Sequence, residues 1–166
     1  VKTLVLGGAR SGKSRFAEGL ARDFQGPRTY IATAEPFDEE MRQRIARHRE
    51  QRASDGWTTL EAPLDPAAAI RSAEGFVLLD CVTVWLGNLM HHGRDIAAAM
   101  DGLLAALAEA QSRVVLVSNE VGLSIVPENA MARRFRDEQG IANQKLSAAV
   151  DEVFFVAAGL PLKLKG

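Results

Sequence analysis

The chain has 166 residues, 47% of them hydrophobic and 25% charged, with a formal net charge of −1. This suits one α/β domain with a sizeable core; it gives no electrostatic basis for a nucleic-acid partner, and no apolar run approaches the roughly 20 residues of a membrane span. Cys81 is the only cysteine, so no disulfide can form within the chain, and residues 1–6 carry no secretory pattern; a reducing cytoplasm is the expected compartment.

In chain order, Lys2–Leu6 reads as a buried strand and Ser14–Phe24 as a helix with Phe16, Ala17, Leu20 and Ala21 at helical spacing. Between them stands Gly7-Gly8-Ala9-Arg10-Ser11-Gly12-Lys13-Ser14, which fits the phosphate-loop pattern G-x-x-x-x-G-K-[ST] at every fixed position. The residue types explain the chemistry. Glycines let the backbone curl so that successive N–H groups face one anion, and the following helix N-terminus adds partial positive charge. Lys13 is placed to reach β- and γ-phosphates, and the Ser14 hydroxyl to take a position on Mg²⁺.

Gly26-Pro27 closes the first connection, and Thr29–Thr33 reads as strand two. Its end, Ile31-Ala32-Thr33, belongs near the phosphate loop, because nucleotides in such sheets bind beyond the carboxyl ends of the strands. A strand-end hydroxyl such as Thr33 can equally serve a backbone group. Asp38 opens a helix to Arg52 with Asp38, Glu39 and Glu40 in its first turn. Met41, Ile45 and His48 share one face, so His48 is expected to point toward the body of the protein. Residues 41–52 hold five arginines against Glu50, a local charge of +4. Such a run is ordinarily a solvated face, and a histidine on an apolar stripe is ordinarily structural. The position of this helix, just after a strand that ends at a nucleotide site, makes His48 a catalytic candidate.

Ala53–Pro66 reads as irregular, followed by a helix through Ala67–Ser72. Phe76–Asp80 is an apolar strand ending in a carboxylate. Paired with residues 7–14, it supplies the second part of a phosphate-loop site, with Asp80 beside the Mg²⁺ held by Ser14. Cys81 reads as a small packed residue and not a nucleophile. Val82–Met90 is a short helix with Trp85 and Leu89, and His91-His92 reads as capping cations at its end, too few ligands for a metal. Asp95 opens a helix with Ile96, Met100, Leu103 and Leu107 as its core stripe. Arg113–Ser118 is a further buried strand, followed by Asn119-Glu120-Val121-Gly122. A long helix spans Asn129–Val150, and Val153–Ala157 with Leu160–Lys165 flank Gly159 as a terminal hairpin presenting an edge. The result is a mostly parallel sheet with helices on both faces and at least four βα units.

Residues 7–14, Ile-Ala-Thr at 31–33, Met41…Arg44-Ile45-x-x-His48, Trp57…Glu61, Leu-Leu-Asp-Cys at 78–81, Asn-Glu-Val-Gly at 119–122, Ile-Val-Pro-Glu-Asn at 125–129 and Arg-x-Phe-Arg-Asp at 133–137 together resemble the CobU/CobP family of cobalamin biosynthesis, essentially end to end. The resemblance implies a RecA-like phosphate-loop domain that is bifunctional and trimeric. One activity phosphorylates the aminopropanol hydroxyl of adenosylcobinamide with ATP or GTP. The other transfers GMP from GTP to adenosylcobinamide-phosphate, releasing pyrophosphate. It also implies a guanylylated histidine, a role that falls to His48, the only histidine of its helix; Arg47 stands where some relatives carry a second histidine. Arg49, Glu50, Gln51, Arg52 and Glu61 become nucleotide contacts, Glu61 with the chemistry to accept from guanine N1–H and N2–H. Lys13 and Asp80 become kinase residues, with Asp80 or Glu120 positioning the substrate hydroxyl. Two other readings stay open on the residues alone: a phosphate-loop kinase for another small molecule, which needs no His48, and a non-catalytic nucleotide-controlled interaction module.

Overall fold

A computed structural model describes residues 1–166. In chain order the elements are β1 Lys2–Gly7, α1 Lys13–Gly19, β2 Arg28–Ala32, α2 Glu39–Ser54, β3 Thr58–Glu61, α3 Pro66–Ser72, β4 Phe76–Asp80, α4 Val82–His91, α5 Ile96–Glu109, β5 Arg113–Asn119, α6 Ala130–Ala149, β6 Glu152–Ala157 and β7 Leu160–Lys165. One seven-stranded sheet runs in the order β3-β2-β4-β5-β1-β6-β7. All pairings are parallel except β6 with β7. One strand, β5, therefore separates β1, which feeds the phosphate loop, from β4, which ends in Asp80.

The alternation of each central strand divides two cores. Leu4, Leu6, Val77, Leu79, Val114 and Leu116 point to the face that Trp85, Leu86, Met100, Leu103 and Leu146 cover. Val5, Phe76, Leu78, Val115 and Val117 point to the other, under Ala17 and Ala21, with Trp57 closing the side. Period-2 alternation with both faces apolar is what a parallel sheet between helix layers demands. The predicted α5 stripe is buried at all four positions, Ile96, Met100, Leu103 and Leu107. Asp38, Asp65, Asp95 and Asn129 each cap a helix by accepting from a first-turn N–H.

Three expectations change. The stretch 53–66 is not wholly irregular: Thr58–Glu61 forms an edge strand parallel to β2. Its four residues are only half-buried or exposed, so no apolar run marks it. Helix α1 ends at Gly19 and gives way to turns, short of Phe24. His92 does not cap carbonyls; its Nε2 lies 2.9 Å from Glu35 Oε1, tying the end of α4 to the segment after β2. No helix is long and apolar enough to cross a membrane.

Candidate active site

The phosphate loop begins where β1 runs out. Gly7 pairs with Asn119 on one side and Val156 on the other. A Cβ there would lie 2.5 Å from Ser11 Oγ and 2.7 Å from the Val156 carbonyl, so only glycine fits. Gly12 takes φ 91° as the N-cap of α1 and offers no side-chain cap, which leaves the first-turn N–H groups to a ligand. Lys13 Nζ donates to the Gly8 carbonyl at 3.1 Å and spans the loop. The turn of the β6–β7 hairpin braces it from outside, Gly159 N donating to the Ser11 carbonyl at 2.7 Å. Ala9 and Arg10 are exposed, and Ser14 is half-buried in the first turn of α1.

Asp80 stands at the carboxyl end of β4, opposite Ala32 in register. Ser14 and Asp80 offer a hydroxyl and a carboxylate, hard oxygen donors that suit Mg²⁺. No cluster of three or more His, Cys, Asp or Glu side chains could hold a metal unaided. Mg²⁺ is ordinarily held by one or two protein oxygens together with water and nucleotide phosphates. Glu18 on α1 adds to the acidity of this corner. Its carboxyl is raised above the usual range by partial desolvation first, then by the Asp80 and Asp55 charges.

The pattern of residue types did not single out Tyr30. It is 6% exposed, and its hydroxyl donates to Asp80 Oδ2 at 2.6 Å. Burial first, then the Asp80 charge, push the phenol far above its ordinary pKa, so it stays a donor. The available signal was parity: Tyr30 and Ala32 share one face of β2, and Ala32 is the register partner of Asp80.

His48, Ile45 and Arg52 from α2 meet Tyr30, Ala32, Thr33 and Ala34 from the end of β2, and Asp80, Cys81 and Val84 from the β4–α4 junction, around one cavity of about 270 Å³. His48 is on the cavity wall but exposed, not inward-packed as expected. The reason is that α2 stands off the sheet: none of its residues is buried, and even Met41 and Ile45 are only half-covered. The cavity holds Asp80 and His48 together, although 32 positions of sequence separate them.

Other candidates are placed as follows. Thr33 is fully buried; its hydroxyl donates to the Cys81 carbonyl and accepts from the Cys81 N–H, each at 2.9 Å. Ile31 is fully buried and faces the opposite core. Arg49 Nη1 pairs with Glu61 Oε1 at 3.4 Å across the α2–β3 gap, both exposed. Arg52 Nε donates to Thr59 Oγ1 at 3.2 Å while its guanidinium lies 4.2 Å from the Tyr30 ring centroid. Glu50 and Gln51 are exposed, and neither lines the cavity. Cys81 caps α4, its Sγ accepting from Val84 N at 3.3 Å, and burial pushes its thiol up to about 11, which rules out a resting thiolate. Glu120 N donates to the Gly7 carbonyl, and its carboxylate accepts from Gly122 N. Beneath that loop a buried trio, Ser118, Gln139 and Asn143, interlinks, and Asn143 Nδ2 donates to the Asn119 carbonyl.

Comparison with known proteins places this geometry. The RadB recombinase crystal structure is similar in fold, with TM-score 0.52 at 16% identity over 93% of this chain and 73% of that one. The chain is 45% identical, over 100% of its length and 98% of the relative's, to a bifunctional adenosylcobalamin biosynthesis protein CobP from Pseudomonas aeruginosa. It is 44% identical to the protein CobU of Escherichia coli, described in the same words, over 98% of both chains. The model of one family matches residues 3–164, nearly the whole domain just described. The chain belongs to the cobinamide kinase / cobinamide phosphate guanyltransferase family.

Proposed function

We propose that this enzyme performs both family reactions, phosphorylation of adenosylcobinamide and transfer of GMP to the product, at one nucleotide site. The observation that carries this is the shared cavity: His48, the candidate nucleophile, and Asp80, the candidate kinase carboxylate, line it together. In the first reaction the triphosphate of ATP or GTP lies in the loop of residues 7–14. Lys13 leaves the Gly8 carbonyl to neutralise the β- and γ-phosphates. Ser14 and Asp80 are the residues that would hold Mg²⁺, which when bound would offset charge on the transferring phosphoryl group. The substrate hydroxyl oxygen attacks the γ-phosphorus, the bond to the β-bridging oxygen breaks, and the hydroxyl proton passes to a base. Asp80 and Glu120 are the two carboxylates at the strand ends for this role: both are half-buried, and each has one oxygen engaged, by the Tyr30 hydroxyl and by Gly122 N respectively.

In the second reaction a neutral imidazole nitrogen of His48 attacks the α-phosphorus of GTP and pyrophosphate departs. A phosphate oxygen of adenosylcobinamide-phosphate then attacks the same phosphorus, and the P–N bond breaks to restore the imidazole. The arginines of α2 stabilise charge on the phosphoryl oxygens. Backbone at Ala32 and Thr33 borders the nucleotide, and Arg49, Glu50, Gln51, Arg52 and Glu61 surround its base and ribose. Glu61 accepts from guanine once it exchanges Arg49 for the base edge. The active form is a homotrimer in the cytoplasm.

Labelled GTP tests this reading. Protein incubated with Mg²⁺ and α-phosphate-labelled GTP is expected to keep label through denaturation in base and lose it in acid, as a phosphoramidate does. Label at the γ-phosphate is expected to leave none. His48→Ala is expected to abolish labelling while nucleotide binding persists, since residues 7–14 come from other elements. Undiminished labelling of His48→Ala rejects His48 as nucleophile. A wild type that phosphorylates adenosylcobinamide yet takes no label from GTP is a plain kinase.

A further inference from the structure

A buried tyrosine that donates to a carboxylate at the head of a nucleotide site demands an explanation. Tyr30 comes from β2 and Asp80 from β4, so their bond crosses between neighbouring strands on the phosphate-loop face of the sheet. The ring cannot swing. Trp57 meets it edge-on at 5.9 Å, and the Arg52 guanidinium lies over it at 4.2 Å. Arg52 is itself held by Thr59 of β3. The hydroxyl therefore has one position, and it engages Asp80 Oδ2, while Oδ1 makes no hydrogen bond within the chain.

We infer that Tyr30 is a positioning residue: its hydroxyl clamps one oxygen of Asp80 in a fixed orientation and so leaves the other free to serve the metal of the bound nucleotide. The inference rests on the reading of Asp80 as a metal-holding residue given above. A carboxylate on a half-exposed strand end has two soft torsions, and a ligand that must meet an octahedral ion at short range tolerates little wobble. A fixed donor on one oxygen removes that freedom before the nucleotide arrives. The same ring carries Arg52 of α2, so the clamp also joins the helix that bears His48 to the end of β4.

The test is Tyr30→Phe, which removes the hydroxyl and keeps the ring that packs on Trp57 and Arg52. Mn²⁺ binding in the presence of the β,γ-imido analogue of GTP, followed by electron paramagnetic resonance, is the direct readout. Mn²⁺ affinity is expected to fall about 10-fold or more, the usual effect of losing a group that orients a metal ligand. The Mg²⁺ concentration giving half-maximal kinase rate is expected to rise in parallel. Asp80→Asn is expected to weaken Mn²⁺ binding as well, and Tyr30→Phe added to Asp80→Asn is expected to change it less than about twofold, because the hydroxyl acts through Asp80. Wild-type Mn²⁺ affinity in Tyr30→Phe, with a loss in Asp80→Asn, overturns the inference alone. An undiminished cost of Tyr30→Phe in the Asp80→Asn background also overturns it. Wild-type affinity in Asp80→Asn removes the metal role of Asp80 and the inference with it.

Discussion

Lys13 shows how far a single residue can be read. Its type and spacing predict a phosphate ligand, and the structure finds its ammonium bridging the loop to the Gly8 carbonyl, a contact that a triphosphate can replace with a stronger one. Lys13→Ala is expected to lower the rate of adenosylcobinamide phosphorylation by about 10³-fold or more, since it removes the ammonium that spans the loop. A steady-state kinase assay checks this, and wild-type rates would remove the loop from the reaction. His48 was legible as a candidate from its helix and its charged surroundings, but its direction was not. The heptad-like spacing of Met41, Ile45 and His48 is the same whether a helix lies on a core or stands beside a cleft. Tyr30 was not legible, because an aromatic residue in a strand ordinarily means core, and its hydroxyl bond to Asp80 is made across 50 positions of sequence.

At the scale of elements, the ends of β2 and β4 matter more than their middles. Thr33 joins them by giving its hydroxyl to the Cys81 carbonyl and taking the Cys81 N–H. Asn88 of α4 adds two donations, to the Thr33 and Pro63 carbonyls at 2.7 and 2.9 Å, from a side chain only 4% exposed. The junction that carries Asp80 is thus bonded to the end of β2, which Asn88 in turn ties to α4 and Pro63. Thr33→Val keeps the shape and strands the Cys81 groups, so it is expected to cost about 1–3 kcal/mol. For a chain of this length that is a fall of roughly 2–10 °C in thermal midpoint, measurable by calorimetry. A midpoint unchanged within 1 °C or so would mean that water replaces the hydroxyl at no cost. By contrast, α2 and β3 contribute little burial, which suits the proposal that this segment admits and releases a nucleotide.

At the scale of the molecule, the sheet ends in two edges, β3 and β7, and β7 is the more open. Every residue of β7 is exposed, and Leu160, Leu162 and Leu164 alternate along it at 72%, 61% and 58% exposure. An edge with free N–H and C=O groups and an apolar stripe ordinarily has a cover. In the homotrimer proposed for this chain, that cover is a neighbouring subunit. Light scattering is expected to give three times the 18.0 kDa of the chain, and Leu162→Lys to shift the mass toward one subunit. A fully active wild type at the mass of one chain would count against the trimer. The loop before α6 also exposes Leu123, Ile125 and Val126, at 84%, 93% and 58%, a surface suited to a large acceptor or to the neighbouring subunit.

The amino-acid sequence by itself determined the sheet class, the strands β1, β2, β4 and β5, the helices α2 to α6, the terminal hairpin and the phosphate loop. Each of these rests on local rules: the alternation of apolar residues, a cap at a helix start, the spacing of glycines before a lysine. Tertiary structure decided the rest. Which strand neighbours which, that Thr58–Glu61 adds an edge, that Tyr30 reaches Asp80, and that His48 and Asp80 share one cavity all depend on pairings between distant segments. Local propensity cannot express those pairings, because the free energy that selects them comes from burying two faces of one sheet at once.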